Sequence, residues 1–171
     1  VEIPPFRQAA IKGTVQRRAH DDGQPIANSL FEYEVEHEFN ELERQIALVL
    51  DRDANVLWWY RNRVGHDQFT VQGYRKQQIF PDFVVQERID GQKYHRVLVI
   101  EGKGAHLKGN ADTEYKRDVA KYFEKAGHRI TWQELGSEFK DHIFRFQVLD
   151  EQQPQGREWK DELFTLLQTV A

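Results

Sequence analysis

The sequence contains no cysteine and no methionine among its 171 residues. Without cysteine there can be no disulfide and no thiolate metal site, which fits a reducing compartment. A cytoplasmic location is therefore expected. The missing methionine, and an opening that reads VEIPPFR, lead us to expect a domain of a longer polypeptide. Residues 1–7 show no signal-peptide pattern. No apolar run approaches the roughly 20 residues that span a bilayer, so no membrane segment is expected. Mean hydropathy is −0.76, the mark of a strongly polar surface. Internal repeats and low-complexity tracts are absent. An excess of positive charge is absent too. The net charge of −4 argues against a protein that coats DNA generically.

What is present is a residue supply for one packed domain: 39% hydrophobic and 12% aromatic side chains. Residues 1–29 read as an approach segment, with a turn at Asp21–Pro25, and residues 30–171 as the domain. Charge is uneven along it. Residues 51–125 carry 14 basic and 11 acidic side chains, whereas the flanking stretches are acidic. The middle of the chain is therefore locally positive.

Periodicity supplies the elements. Phe31–His37 alternates apolar and acidic residues, as a half-solvated strand does. From Phe39 to Leu50 the apolar spacing turns helical. Val56–Arg61 (VLWWYR) reads as a strand, Phe69–Gly73 as a short one, and Ile79–Ile89 and Lys93–Glu101 as longer ones. Asp112–Ala126 forms an amphipathic helix with Tyr115, Val119, Tyr122 and Phe123 on one face and Gly127 past its end. Strands over Arg129–Trp132 and Phe144–Leu149 and a helix over Trp159–Val170 complete the pattern. The order predicts an α/β domain around a mixed sheet flanked by helices.

Asp90-Gly91 lies between two strand patterns and signals a hairpin. A two-residue turn there pairs Ile89 with Gln92, and hence Asp82 with Val99 and Phe80 with Glu101. Opposed residues share a face, so Asp82, Glu101 and Lys103 project to one side. Asp82 and Glu101 become diagonal neighbours about 7–8 Å apart, a span one divalent ion bridges. A turn with an odd number of residues would break this parity, and Pro81 is a source of irregularity. Charges set among Phe80, Val84, Val97 and Val99 must be paired or bound to metal. A buried ion pair between Lys103 and either carboxylate is the structural alternative.

Pro81-Asp82, followed by Val97-Leu98-Val99-Ile100 running into Glu101-Gly102-Lys103, resembles the PD-(D/E)xK nuclease superfamily. A narrower resemblance covers about residues 30–132. Phe39-Asn40-Glu41-Leu42-Glu43, Trp58–Asn62, Phe80–Phe83, Glu101–Gly104, His106–Asn110 and Glu114–Arg117 look like the endonuclease domain that ends the helicase–nuclease subunits of type III restriction enzymes and related defence proteins. The resemblance implies a restriction-endonuclease-like core (αβββαβ) and hydrolysis of DNA phosphodiester bonds. It also implies Mg²⁺, with Mn²⁺ as substitute, and a helicase or ATPase partner in a restriction or anti-phage system. No phosphate-binding loop occurs in this chain, so an ATPase would lie elsewhere.

By the same resemblance, Asp82 and Glu101 hold metal, helped by the Gly102 carbonyl, and Lys103 positions water or stabilises charge on the phosphate. Many members add a glutamate from the first helix. On a wheel of about 100° per residue, Glu43 falls with Phe39, Ile46 and Leu50, while Glu41 faces solvent. Glu43 is therefore assigned to the catalytic and metal-binding set; a capping box with Asn40 is its structural alternative. Lys108, Lys116, Arg117 and Arg61 are candidates for the phosphodiester backbone. Arg63, Arg75 and Lys76 read first as solvated charges, His106 as a loop histidine, and Trp58, Trp59 and Tyr60 as core. The histidines show no zinc spacing, and Ser29 and Ser137 lie in no nucleophile context. A catalytically silent nucleic-acid-binding or structural module on the same fold is the alternative function.

Overall fold

Asn40 starts the first helix. Its side chain accepts the N–H of Glu43 at 2.9 Å, and Glu43 Oε2 accepts the N–H of Asn40 at 3.0 Å, a complete capping box. The helix, α1, runs Glu41–Arg52 in a computed structural model that describes residues 26–31, 39–88, 95–104, 110–127, 137, 143–151 and 158–168. It is followed by β1 (Val56–Arg61), β2 (Phe83–Arg88), β3 (His95–Lys103), α2 (Ala111–Gly127), β4 (Ile143–Asp150) and α3 (Trp159–Gln168).

The four strands form one mixed sheet in the order β1-β2-β3-β4. β1–β2 and β2–β3 are antiparallel, and β3–β4 is parallel, joined through α2. Both sheet faces are covered. Leu42, Ile46, Ala47 and Leu50 of α1 and Leu163, Leu166 and Leu167 of α3 pack with Trp59, Phe83, Val85, Leu98, Ile100 and Leu149. Tyr115, Val119 and Ala120 of α2 pack with Val99, Phe146 and Val148 on the opposite side, joined by Val71 and Ile79. The expected mixed α/β architecture is present. Truncating Ile46, which is fully buried, would cost about 2–5 kcal/mol.

Several expectations are revised. The register pairs Phe83 with Ile100 and Val84 with Val99, two residues away from the two-residue-turn alignment. Parity survives, because six residues separate the last pair, Arg88 and His95. The strand expected from Ile79 starts only at Phe83, since Pro81 has no N–H to give a ladder. Val71 and Ile79 make a single isolated bridge instead of a strand over Phe69–Gly73. Tyr122 is 70% exposed and does not join the core face of α2. Trp59 and Tyr60 are buried as expected, while Trp58 is half-buried against Tyr60. The Asp90-Gly91 turn, most of the strands expected over 31–37 and 129–132, His106 and Lys108 lie outside the described residues, as do residues 1–25 of the approach segment.

The end of that segment lies along β1. Asp51, buried at the end of α1, accepts the N–H groups of Ala27 and Asn28 and Nε1–H of Trp59. No described helix is long and apolar enough to cross a membrane.

Candidate active site

The site is assembled where β1 ends, β2 begins and β3 ends. Asn62, 1% exposed, organises this corner. Its backbone N–H donates to the Asp82 carbonyl at 2.8 Å, and its side-chain amide donates to the carbonyls of Pro81 and Phe69. Its Oδ1 accepts the Phe69 N–H. An irregular Pro81-Asp82 segment is thus held to β1 by an amide that does the work of a strand ladder. Asn62 lay within the sequence match but no role was assigned to it.

Asp82 lies one residue before β2, in a bend, so strand parity does not govern its side chain. Its Oδ2 accepts the backbone N–H of Gly102 at 2.7 Å. A Cβ built on Gly102 would meet Ile46 Cδ1 at 3.3 Å, Leu42 Cδ2 at 3.5 Å and Asp82 Oδ2 at 3.6 Å. The Asp82 carboxylate therefore reaches β3 on the side covered by α1. Glu101 and Lys103 share strand parity with Val99, on the side covered by α2. Asp82 and Glu101 therefore flank the end of β3 rather than projecting from one face.

On the α1 side, Arg61 ties the carboxylates together. Its Nη2 is 2.8 Å from Glu43 Oε1, and its Nη1 is 3.3 Å from Asp82 Oδ1 and 3.0 Å from the Asp82 carbonyl. Glu43 forms the capping box with Oε2, the structural alternative considered for it, and its Oε1 pairs with Arg61 beside Asp82. On the α2 side, Lys103 and Lys116 both lie 2.7 Å from Glu101 Oε1. The other oxygen, Glu101 Oε2, is buried and has no hydrogen-bond partner among the described residues.

These surroundings shift ionisation. Burial pushes the Asp82 carboxyl up to about 7, and the negative charges of Glu101 and Glu43 push the same way; Arg61 and the Gly102 N–H oppose them. For Lys116, burial would lower the pKa, but the charge and hydrogen bond of Glu101, with Asp112 behind them, outweigh it and raise it.

Of the basic candidates, Arg61, Lys116 and Arg117 are all engaged with acids. Arg117 pairs with Glu114 at 2.7 Å and with Asp150 at the end of β4. Asp150 lies beside Lys103 in the parallel register, and the Glu151 N–H donates to the Lys103 carbonyl. Asp150 was not anticipated. The signal available was an apolar strand, Phe144–Leu149, running into an acid just as Val97–Ile100 runs into Glu101. Arg75 stacks on Tyr115, 4.3 Å from its ring centroid. A cleft of about 540 Å³, lined by Gln72, Lys76, Gln78, Asp112, Tyr115 and Lys116 among others, opens beside the lysine that contacts Glu101. A second cleft of about 590 Å³ between α1 and α3 contains none of the site residues.

A divalent ion is a testable fit. Among the described residues no three His, Asp or Glu side chains are grouped closely enough to hold one. Two carboxylates remain: Asp82, whose ionised form is disfavoured by burial and by the charge of Glu101, and Glu101, which has a buried oxygen without a partner among the described residues. A cation at Glu101 Oε2 would satisfy that oxygen and favour ionised Asp82, taking most of its other ligands from water. Both oxygens of Asp82, held by the Gly102 N–H and Arg61, and both of Glu43, held by the Asn40 N–H and Arg61, are engaged in this arrangement.

No curated protein and no solved structure matches the chain. The YagJ family model matches residues 28–163, a stretch that contains every residue of this site, and the chain belongs to the YagJ family.

Proposed function

We propose that this domain is a metal-dependent nuclease that hydrolyses DNA phosphodiester bonds, on a core of the restriction-endonuclease-like PD-(D/E)xK type. The observation that carries the reading is the meeting of Asp82 with Glu101-Gly102-Lys103 at the end of β3, where a buried Glu101 oxygen has no partner among the described residues. An unsatisfied buried acceptor is costly, and a cation bound at this oxygen would remove that cost. The order α1-β1-β2-β3-α2-β4 also agrees with this reading.

Asp82 and Glu101 would hold Mg²⁺, or Mn²⁺ in its place, with the Gly102 carbonyl as a further oxygen donor. An ion held there would supply Lewis-acid polarisation of the phosphate and lower the pKa of water. Lys103 contributes a fixed positive charge, held by Glu101, that orients the attacking water or stabilises charge building on the phosphate oxygens. Lys116 brings a second ammonium to the same carboxylate oxygen from α2. Its cleft, with Lys76 and Gln72, provides donors for the backbone of the substrate strand. The net charge of −4 fits delivery of DNA by a helicase or translocase partner in a defence system rather than unaided capture.

One observation favours a second reading, a catalytically silent nucleic-acid-binding module. Arg61, Lys103 and Lys116 already neutralise the acids, as a structural network would.

The test is cleavage of plasmid DNA with Mg²⁺ by the protein in its native assembly, alongside Asp82→Ala and Lys103→Ala. Cleavage by the wild type with at least 100-fold loss in each variant is expected. Equal rates in all three would reject the nuclease reading.

A further inference from the structure

We infer that Arg61 permanently occupies the second cation position of this site, between Glu43 and Asp82, so that the centre takes one divalent ion and not two. The inference rests on the ion-binding reading above and deepens it. Nucleases of many kinds use two ions about 3.5–4 Å apart, held by carboxylates on both sides of the scissile phosphate. Here Glu43 and Asp82 are the carboxylates available for the second ion. The space between them is filled by the Arg61 guanidinium, 2.8 Å from Glu43 Oε1 and 3.3 Å from Asp82 Oδ1.

Three features make this occupant permanent. The first is shape: a planar guanidinium presents its N–H donors in a fixed fork and can pair with two carboxylates at once. The second is anchoring. Arg61 ends β1, and its Nη1 also donates to the carbonyls of Asn62 and Asp82, so it is bound to backbone as well as to the two acids. The third is packing. The guanidinium carbon lies 5.9 Å from the Phe39 ring centroid and 5.6 Å from that of Phe83, and its side chain is 14% exposed. A hydrated ion approaching Glu43 would have to displace a buried cation tied to four oxygens.

The two ends of the site differ for this reason. Both Glu43 oxygens are used, one by the Asn40 N–H and one by Arg61. Glu101 keeps one buried oxygen without a partner among the described residues. The single ion therefore belongs on the Glu101 side of Asp82, and Arg61 supplies the fixed positive charge on the other side.

Counting ions tests this without relying on turnover. The full chain is titrated with Mn²⁺, and bound metal is read by calorimetry and by electron paramagnetic resonance, in which two ions about 4 Å apart give a spin-coupled spectrum. The wild type should bind one Mn²⁺ with an uncoupled signal. Arg61→Met keeps an apolar stem over the two phenylalanines and should bind two, with a coupled signal. Two ions in the wild type, or one in a folded Arg61→Met, would overturn the inference while leaving ion binding intact. No ion in the wild type would reject the ion-binding reading, and this inference with it. Should Arg61→Met not fold, Glu43→Gln decides the matter. Its Mn²⁺ count and Kd should stay within threefold of wild type, and a tenfold weaker Kd would make Glu43 an ion ligand and refute the assignment of its place to Arg61.

Discussion

The carboxylate of Asp82 and the backbone N–H of Gly102 meet at 2.7 Å, joining the irregular chain before β2 to the end of β3. The bond sets the distance between the two acids of the site more firmly than a strand ladder would, because it uses the carboxylate itself. Gly102 also lies against α1, with Ile46 and Leu42 near the position of a missing Cβ. Gly102→Ala should therefore push on Ile46, costing about 1 kcal/mol of stability. The 3.6 Å approach to Asp82 Oδ2 is ordinary contact, so cleavage should change little beyond the lost stability. A loss of cleavage out of proportion to stability would show that Asp82 is displaced.

Asp82 titrates in a way that stability reveals. Its pKa rises from 3.8 to about 7 on folding, so between those values the folded protein keeps a proton that the unfolded chain releases. The stability this contributes is present below about pH 4 and is lost as the pH rises through 7, an effect of about 2–4 kcal/mol. The difference in unfolding free energy between wild type and Asp82→Asn, measured by denaturant titration without divalent metal, should follow that curve. At pH 8 the variant should be as stable as wild type or more so, though inactive. A variant clearly less stable at pH 8 would mark Asp82 as a structural partner of Arg61.

Lys103 and Lys116 share one oxygen of Glu101, which predicts that they substitute for each other in stability but not in chemistry. Each single methionine variant should lose about 1 kcal/mol, while the double variant leaves Glu101 buried without a counter-charge and should lose about 3–5 kcal/mol. Cleavage should fall far more in Lys103→Met than in Lys116→Met. Additive stability losses in the double-mutant cycle would contradict the shared pairing.

Glu87 and Arg96 provide a control. They are opposed in β2 and β3, both fully or nearly fully buried, and joined by two hydrogen bonds, and Arg96 also donates to the Leu166 carbonyl of α3. Glu87→Ala strands a buried guanidinium and should cost about 3–5 kcal/mol. Mn²⁺ affinity in the protein that remains folded should be unchanged. A matching loss of affinity would place this pair in the site's network.

How much of this was legible in the sequence depends on whether the signal was local. Asn40 and Glu43 sit three apart, and a capping box acts over that distance, so the start of α1 could be read directly. The parity of the β2–β3 hairpin was readable because any even connection preserves it. The register was not, and the two-residue offset matters: it moved Glu87 off Arg96 and hid the buried pair. Pro81 signalled irregularity, but not that Asn62 would hold the segment in place of a ladder. Arg61 read as a solvated or substrate-binding charge, since nothing in VLWWYR marks its last residue as the partner of Glu43, 18 positions earlier, and Asp82, 21 later. Asp150 depended on β4 lying parallel to β3, a long-range choice made by packing on α2.

The most direct test of the central claim is anomalous diffraction from crystals soaked in Mn²⁺. A single peak in contact with the carboxylates of Asp82 and Glu101, with none between Glu43 and Asp82, is the predicted result. No peak at these carboxylates, even with DNA bound, would contradict a metal-dependent nuclease centre here.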